Sequence, residues 1–422
     1  MYKQKSLWWV VIPVLCSGLV WFNYYAYVNS SSVFSRLFFK SFPEPIRVVS
    51  VLFVFSYIMQ LLGAVIIGYI GDKRGRIIAI NISGSFMCVG TIIMGLVSNI
   101  VSIFASQVML MLAIALQGFG LGGIKVGFDL VIGESYAKSH NIVRVTSFNM
   151  MLTEMFIMFN SIIGFALAHC LTWEQFSLFG WRIPFLLGGL LLAILILSFN
   201  LVHKDELHVQ QLYGSGNMSL WRSLVLYREV VLFLFLIDMN IFSTYFLVSS
   251  FLPHILYAIG IIEFKYTYVL TLSTNTIFLG AIMMSSYIAD KFRLRMAIFN
   301  FGMIVICTTT IPLFKVVEQT DSIVKIISLF AFTGFIVGAY FAPITTIAIE
   351  LITDQWHRYK IMSFAFSLSG LMTACLPMVA LGLYNKFHKF SVIGFMMSIS
   401  NLACLLICNV LFWKIKQSHK KG

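Results

Sequence analysis

Gly68-Tyr69-Ile70-Gly71-Asp72-Lys73-Arg74-Gly75-Arg76 sets one acid and three bases between apolar runs, Leu61 to Ile70 and Ile77 to Val97, that carry almost no charge. Such a knot predicts a membrane-surface loop joining two spanning helices. Gly68 lets two helices approach closely, and Asp72 is placed to cap a helix that begins just after it. Lys73, Arg74 and Arg76 would hold the turn on the cytoplasmic side.

Composition extends that reading to the whole chain. Of 422 residues, 59% are hydrophobic and only 11% charged, with a mean hydropathy of +0.92. A water-soluble globule with an ordinary polar surface is therefore excluded, and a polytopic membrane protein expected. A helix needs about 20 apolar residues to cross a bilayer, so the length holds about a dozen spans and no sizeable soluble domain. The net charge of +13 does not imply nucleic acid as a partner, because Lys and Arg fall in small clusters between apolar runs rather than along one face. The cysteines (Cys16, Cys88, Cys170, Cys307, Cys375, Cys404 and Cys408) lie in or beside apolar runs without disulfide or metal-ligand spacing, and read as small apolar fillers. Lys3 and Lys5 precede an apolar run with no small-residue cleavage site after it, so the first helix is expected to stay attached.

Apolar runs separated by polar breaks fall near 7–28, 47–70, 77–97, 101–133, 147–170, 183–202, 229–256, 266–289, 296–314, 322–349, 361–384 and 391–413. The predicted fold is thus all-α, with transmembrane helices in two pseudo-symmetric six-helix bundles. Alternating the loops gathers most Lys and Arg on one side, which places both termini in the cytoplasm. The polar stretch 203–228, with Gly214-Ser215-Gly216-Asn217, reads as a cytoplasmic linker between a bundle over 1–202 and a second over 229–422 that ends in a short basic tail.

Charged landmarks repeat between the halves. Asp72-Lys73-Arg74-Gly75-Arg76 is echoed 218 positions later by Asp290-Lys291-Phe292-Arg293-Leu294-Arg295. Glu134 and Arg144 are echoed by Glu350 and Arg358, 216 and 214 positions later. A nearly common offset implies an internal duplication.

The opening stretch resembles the signature loop of the major facilitator superfamily, G-x-x-x-D-[RK]-x-G-R-[RK], matched by Gly68, Asp72, Lys73, Gly75 and Arg76 and departing at Ile77. Further segments resemble its metabolite–proton symporter branch, which includes proline/betaine and organic-acid transporters. Gln117-Gly118-Phe119-Gly120-Leu121-Gly122-Gly123 is similar to Q-G-F-S-x-G-G-E, with Glu134 at the acid closing that helix. Gly180-Trp181-Arg182-Ile183-Pro184-Phe185 is similar to G-W-R-[IL]-P-F, Phe251-Leu252-Pro253 to Y-[LM]-P, and Glu350 to Tyr359 to E-x-F-P-T-x-x-R-Y. The resemblance implies two bundles rocking about a midplane cavity, with Gly68, Asp72, Lys73, Gly75, Arg76, Glu134, Arg144, Asp290, Arg293, Glu350 and Arg358 forming a cytoplasmic gate. It also implies uptake of a small polar organic solute across a bacterial inner membrane, with a proton as coupling ion and no other cofactor. A proline/betaine-like zwitterion is the favoured substrate and an organic acid the second.

Several of the branch's charges are missing. Val20 and Asn23 stand at the two carboxylates of E-W-[FY]-D, Gln60 at the arginine of R-P-[LI]-G-[GA], and Ile124 at the glutamate of Q-G-F-S-x-G-G-E. An uncoupled facilitator or exchanger, or a receptor descended from a transporter, therefore stays open beside symport. Other intramembrane charges are present, and each is costly unless it meets water or a partner. Lys125 and Asp129 share a helix face and either neutralise each other or divide the work, Lys125 on a substrate carboxylate and Asp129 on a proton. Glu154 has no base near it in sequence, while Asp238, less than three turns into its run, reads as a structural group toward the cytoplasmic end. Trp21 and Tyr24, in the aromatic cluster after Val20, either line the solute path with Asn23 and Gln60 or anchor the helix at the interface. Gly118, Gly120, Gly122, Gly123 and Gly127 predict close helix packing rather than phosphate binding. No metal-ligand pair, nucleotide loop or nucleophile–base arrangement appears, so an enzyme is not expected. The oligomeric state is left open.

Overall fold

The computed structural model describes residues 8–43, 45–98, 102–135, 142–202, 220–258, 260–320, 322–352 and 355–421. Among these the chain is helical throughout, with no strand. The main helices are α1 (Trp8–Asn29), α2 (Pro45–Arg74), α3 (Arg76–Leu96), α4 (Ile103–Ser135), α5 (Ile142–Cys170), α6 (Arg182–Val202), α7 (Arg228–Phe246), α8 (Phe264–Phe292), α9 (Arg295–Gln319), α10 (Ile323–Phe341), α11 (Gln355–Phe387) and α12 (Ser391–Lys421). Among the described residues, 12 helical segments are long and apolar enough to cross a membrane, and each overlaps one of the runs read from the sequence. This is a multi-pass membrane protein. Several helices extend past their apolar runs, α11 and α12 most clearly, because continuing the helix satisfies backbone groups that water would otherwise have to reach.

The chain divides into two compact units. One comprises Met1–Ser135, Leu152–Leu224 and Asp354–Ser367, and the other Tyr136–Met151, Val225–Thr353 and Leu368–Gly422. The linker expected over 203–228 falls outside the described residues up to 219, after which Leu220–Leu226 is a short helix.

Within the first unit, α4 is the central post, packed against α2, α3 and α1. A Cβ on Gly118 would stand 2.3 Å from the Ser56 carbonyl oxygen, and one on Gly122 would stand 2.1 Å from that of Gln60. Only a residue without a side chain lets α2 and α4 come so near. The second unit repeats the contact. A Cβ on Gly334 of α10 would stand 2.6 Å from the Thr274 carbonyl oxygen of α8, and one on Gly338 would stand 2.5 Å from that of Phe278. These four glycines are related by 216 positions and their four partners by 218, offsets shared with the charged landmarks. The duplication is therefore present in the packing of the backbone itself.

A second repeated device joins the outer helices. Asn81 of α3 donates its side-chain amide to Asn200 of α6. At the matching place Asn300 of α9 and Asn409 of α12 exchange two amide bonds, of 2.9 and 3.0 Å. Asn81 and Asn300 are 219 positions apart, one more than the acids Asp72 and Asp290. The extra residue lies in the turn. A single residue, Gly75 with φ 99°, separates α2 from α3, whereas Arg293 (φ 56°) and Leu294 separate α8 from α9.

This geometry corrects the opening expectation. Gly68 to Arg74 is not a loop but the end of α2, so the loop shrinks to Gly75. Asp72 accordingly sits inside the last turn of α2, and the residue at the N-terminal boundary of α3 is Gly75, without a side-chain cap. The reason is conformational: a positive φ at glycine turns the chain in one residue and leaves no room for a capping acid just outside the helix.

Candidate functional site

Lys125 and Asp129 lie one turn apart on α4, both half-buried. The Lys125 ammonium stands 5.6 Å from the centre of the Trp21 ring on α1 and 5.3 Å from that of Phe366 on α11, with all three residues in the first unit. Two aromatic faces thus meet one cation, an arrangement that holds an ammonium partly out of water. Both Lys125 and Asp129 make further interactions, so neither charge stands alone. Phe366 was not foreseen: it lies 241 positions beyond Lys125, and nothing in its neighbourhood marks it out.

The remaining expected pathway residues are more deeply buried. Asn23 is fully buried; its amide donates to the Gly188 carbonyl at 3.2 Å, and its own carbonyl accepts from Gln117 at the same distance. Tyr24 is packed edge-on to Trp21 and Tyr57, each at 5.9 Å between ring centres, within a cluster that includes Phe53. Gln60 is buried on α2, and its side-chain oxygen has no hydrogen-bond partner among the described residues. Glu154 is buried on α5 and is engaged with other groups. It lies beside Thr153, whose hydroxyl is 3.5 Å from that of Ser17 on α1. In the second unit, buried Asp238 accepts a hydrogen bond from Ser369 of α11.

The Gly180-Trp181-Arg182 segment has a bracing geometry. Trp181 is buried among Phe34, Phe38 and Phe185, while Arg182 lies over the Trp181 ring and donates to the Val97 carbonyl at 2.9 Å. It therefore ties the start of α6 to the end of α3.

The residues expected to form the gate occupy two places. In the second unit, Asp290 sits at the N-terminus of α5, where its carboxylate accepts from the backbone N–H groups of Val143 (3.2 Å) and Arg144 (3.0 Å). These donors have no partner within their own helix, and the carboxylate also meets the positive end of the helix dipole. Arg144 adds its guanidinium 3.8 Å from Asp290 and stacks on Tyr287 at 4.8 Å. Beneath this contact Ile142, Val143 and Ala289 form a small buried cluster, and the Thr146 and Thr346 hydroxyls meet at 3.0 Å. Glu350 pairs with Arg295, whereas Arg293, the residue expected at the gate, is exposed at the turn. Position 293 must adopt a left-handed conformation to close the turn, which leaves the first residue of α9 to reach the acid.

In the first unit the equivalent ends also meet. A Cβ on Gly68 would stand 3.4 Å from the Lys360 Cα, and one on Gly71 would stand 3.2 Å from the Tyr359 ring. The Tyr359 hydroxyl donates to the Gly123 carbonyl of α4 at 2.7 Å. Lys73 is exposed, its ammonium 5.7 Å from the Tyr69 ring, while Arg76 and Arg358 are half-buried and engaged with other groups. The side chains of Asp72 and Glu134 lie outside the described residues.

Residues 14–352 match the family model described as Major Facilitator Superfamily. The chain belongs to this superfamily of membrane transporters. It is 24% identical over 396 residues to a Staphylococcus aureus protein described as "Putative proline/betaine transporter", covering 91% of this chain and 83% of that one. It is 19% identical over 402 residues to the citrate-proton symporter of Salmonella typhi, covering 94% and 92%. Among solved structures, the proton:xylose symporter XylE superposes with a TM-score of 0.72 at 14% identity, covering 96% of this chain and 95% of that one. At that identity the likeness shows the fold.

Proposed function

We propose that this protein is a secondary carrier for a small organic solute bearing a carboxylate, working by alternating access in a bacterial inner membrane with both termini in the cytoplasm. The observation that carries the reading is Lys125: a half-buried ammonium inside a membrane helix, one turn from Asp129 and held between Trp21 and Phe366. A cation inside a spanning helix is costly unless it meets water or partners, and a solute carboxylate can join the groups Lys125 already engages, since an ammonium has three N–H donors. The names of the relatives agree, since proline, betaine and citrate all present a carboxylate.

Proton coupling falls to Asp129 of α4 or Glu154 of α5. Uptake of radiolabelled proline, betaine and citrate into proteoliposomes, with and without an imposed pH gradient, tests both parts. Glu154→Gln is expected to abolish gradient-driven accumulation while leaving solute exchange intact; unchanged accumulation removes Glu154 from the cycle. An uncoupled facilitator is the second reading. It is favoured by Asn23 and Gln60, which put neutral amides, both deeply buried, where the symporter branch carries charge. Failure of any solute to concentrate against its gradient would select it.

A further inference from the structure

We propose that the gap between the Trp21 and Phe366 rings is a cation-binding slot that the chain fills with its own Lys125, so that the site accepts carboxylates and refuses solutes whose distinguishing group is a quaternary ammonium. The proposal rests on the reading of Lys125 as the solute's anchor and adds a rule of selection to it.

The argument starts from what an onium ion needs. A quaternary nitrogen has no N–H to donate, so a protein recognises it by surrounding it with aromatic faces about 6 Å or less from the charge. The described residues bring two such rings to one point, at 5.6 and 5.3 Å, and the charge found there is Lys125. The three groups come from α1, α4 and α11, brought together by packing within one compact unit. The Lys125 backbone is held in place: neighbouring Gly123 and Gly127 press α4 against its neighbours, Gly123 against Ser83 and Ile67, and Gly127 against Ile80 and Tyr359. A free onium ion would have to displace a tethered one, and the tethered cation has the advantage of a very high local concentration. A carboxylate faces the opposite situation, because the tethered ammonium attracts an anion and can offer it N–H donors in exchange for contacts it already makes. Betaine, which carries both groups, would bind through its carboxylate with its trimethylammonium end outside this slot.

The test is equilibrium binding to purified full-length protein, read by isothermal titration, with tetramethylammonium and citrate as probes. Wild type is expected to bind citrate and to show no tetramethylammonium binding. Lys125→Ala empties the slot; it should lose at least tenfold in citrate affinity and gain tetramethylammonium binding, and the gain should vanish when Trp21→Leu or Phe366→Ala is added. Lys125→Met keeps the slot filled without a charge, and should lose citrate while gaining nothing; it also serves if the alanine variant does not fold. Tetramethylammonium binding by wild type, or none by a folded Lys125→Ala protein, overturns the proposal. Because no flux is measured, a carrier that proved to move no carboxylate would defeat the transport reading and leave the slot standing, while a citrate carrier without the onium gain would do the reverse.

Discussion

The two compact units share a backbone plan but not a chemistry. Gly118 and Gly122 seat α4 on α2 as Gly334 and Gly338 seat α10 on α8. Yet the positions that hold Lys125 and Asp129 in α4 become Phe341 and Thr345 at the same offset, and Gln60 becomes Phe278. The helix differs too: α4 runs unbroken from Ile103 to Ser135, whereas α10 stops at Phe341, and Pro343 precedes a new helix at Ile344. Proline withholds a backbone donor and clashes with the preceding turn, so the second unit is interrupted where the first carries its charges. After duplication, packing was held by contacts that admit only glycine, while the side chains facing elsewhere were free to diverge. The first unit carries a Lys–Asp pair where the second has a broken helix.

The comparison breaks most readily at the glycines. Gly122→Val and Gly338→Val each drive a side chain into a carbonyl 2.1 or 2.5 Å away, and both should prevent a stable fold, at a cost of about 3 kcal/mol or more. Monodispersity and thermal unfolding in detergent check this, and a tolerated valine in either unit would end the claim of equivalence. Next in size is the chemical asymmetry: Lys125→Gln should weaken carboxylate binding about 10- to 100-fold, as expected for loss of a charge-assisted bond, while Thr345→Val at the matching place leaves affinity nearly unchanged. Asp290→Ala removes the acceptor of two helix N-terminal donors and should cost about 1–2 kcal/mol in thermal unfolding, with salt recovering little of it, because the carboxylate side chain is only 1% exposed. The smallest effect is at the amides, where Asn300→Leu should cost about 0.6–1.7 kcal/mol, and Asn81→Leu no more than that.

Much of the fold was legible in the sequence because the bilayer imposes a length on every helix. The apolar runs, the repeated Asp-Lys knots and the glycines of α4 each record a physical constraint in local residues. Other features could not be read that way. The knot looked like a loop because its charges are those of a surface, yet Tyr69 to Arg74 stay helical and one glycine makes the whole turn. Arg295 rather than Arg293 meets Glu350, a choice made by a left-handed backbone that has no signature in a string of bases. Lys125 was visible as a charge out of place. Its aromatic partners were not, since Phe366 is one phenylalanine among 40 and becomes special only by folding against α1 and α4.

The paired asparagines also have a bearing on how the chain is made. Asn81 is synthesised 119 residues ahead of Asn200, and Asn300 109 residues ahead of Asn409. During translation α3 and α9 must each wait, with an amide in or near oil, until the last helix of their own half arrives. Each pair therefore closes only once the last helix of its half is in place, and a chain that stopped before Asn200 or Asn409 would leave one amide without its partner.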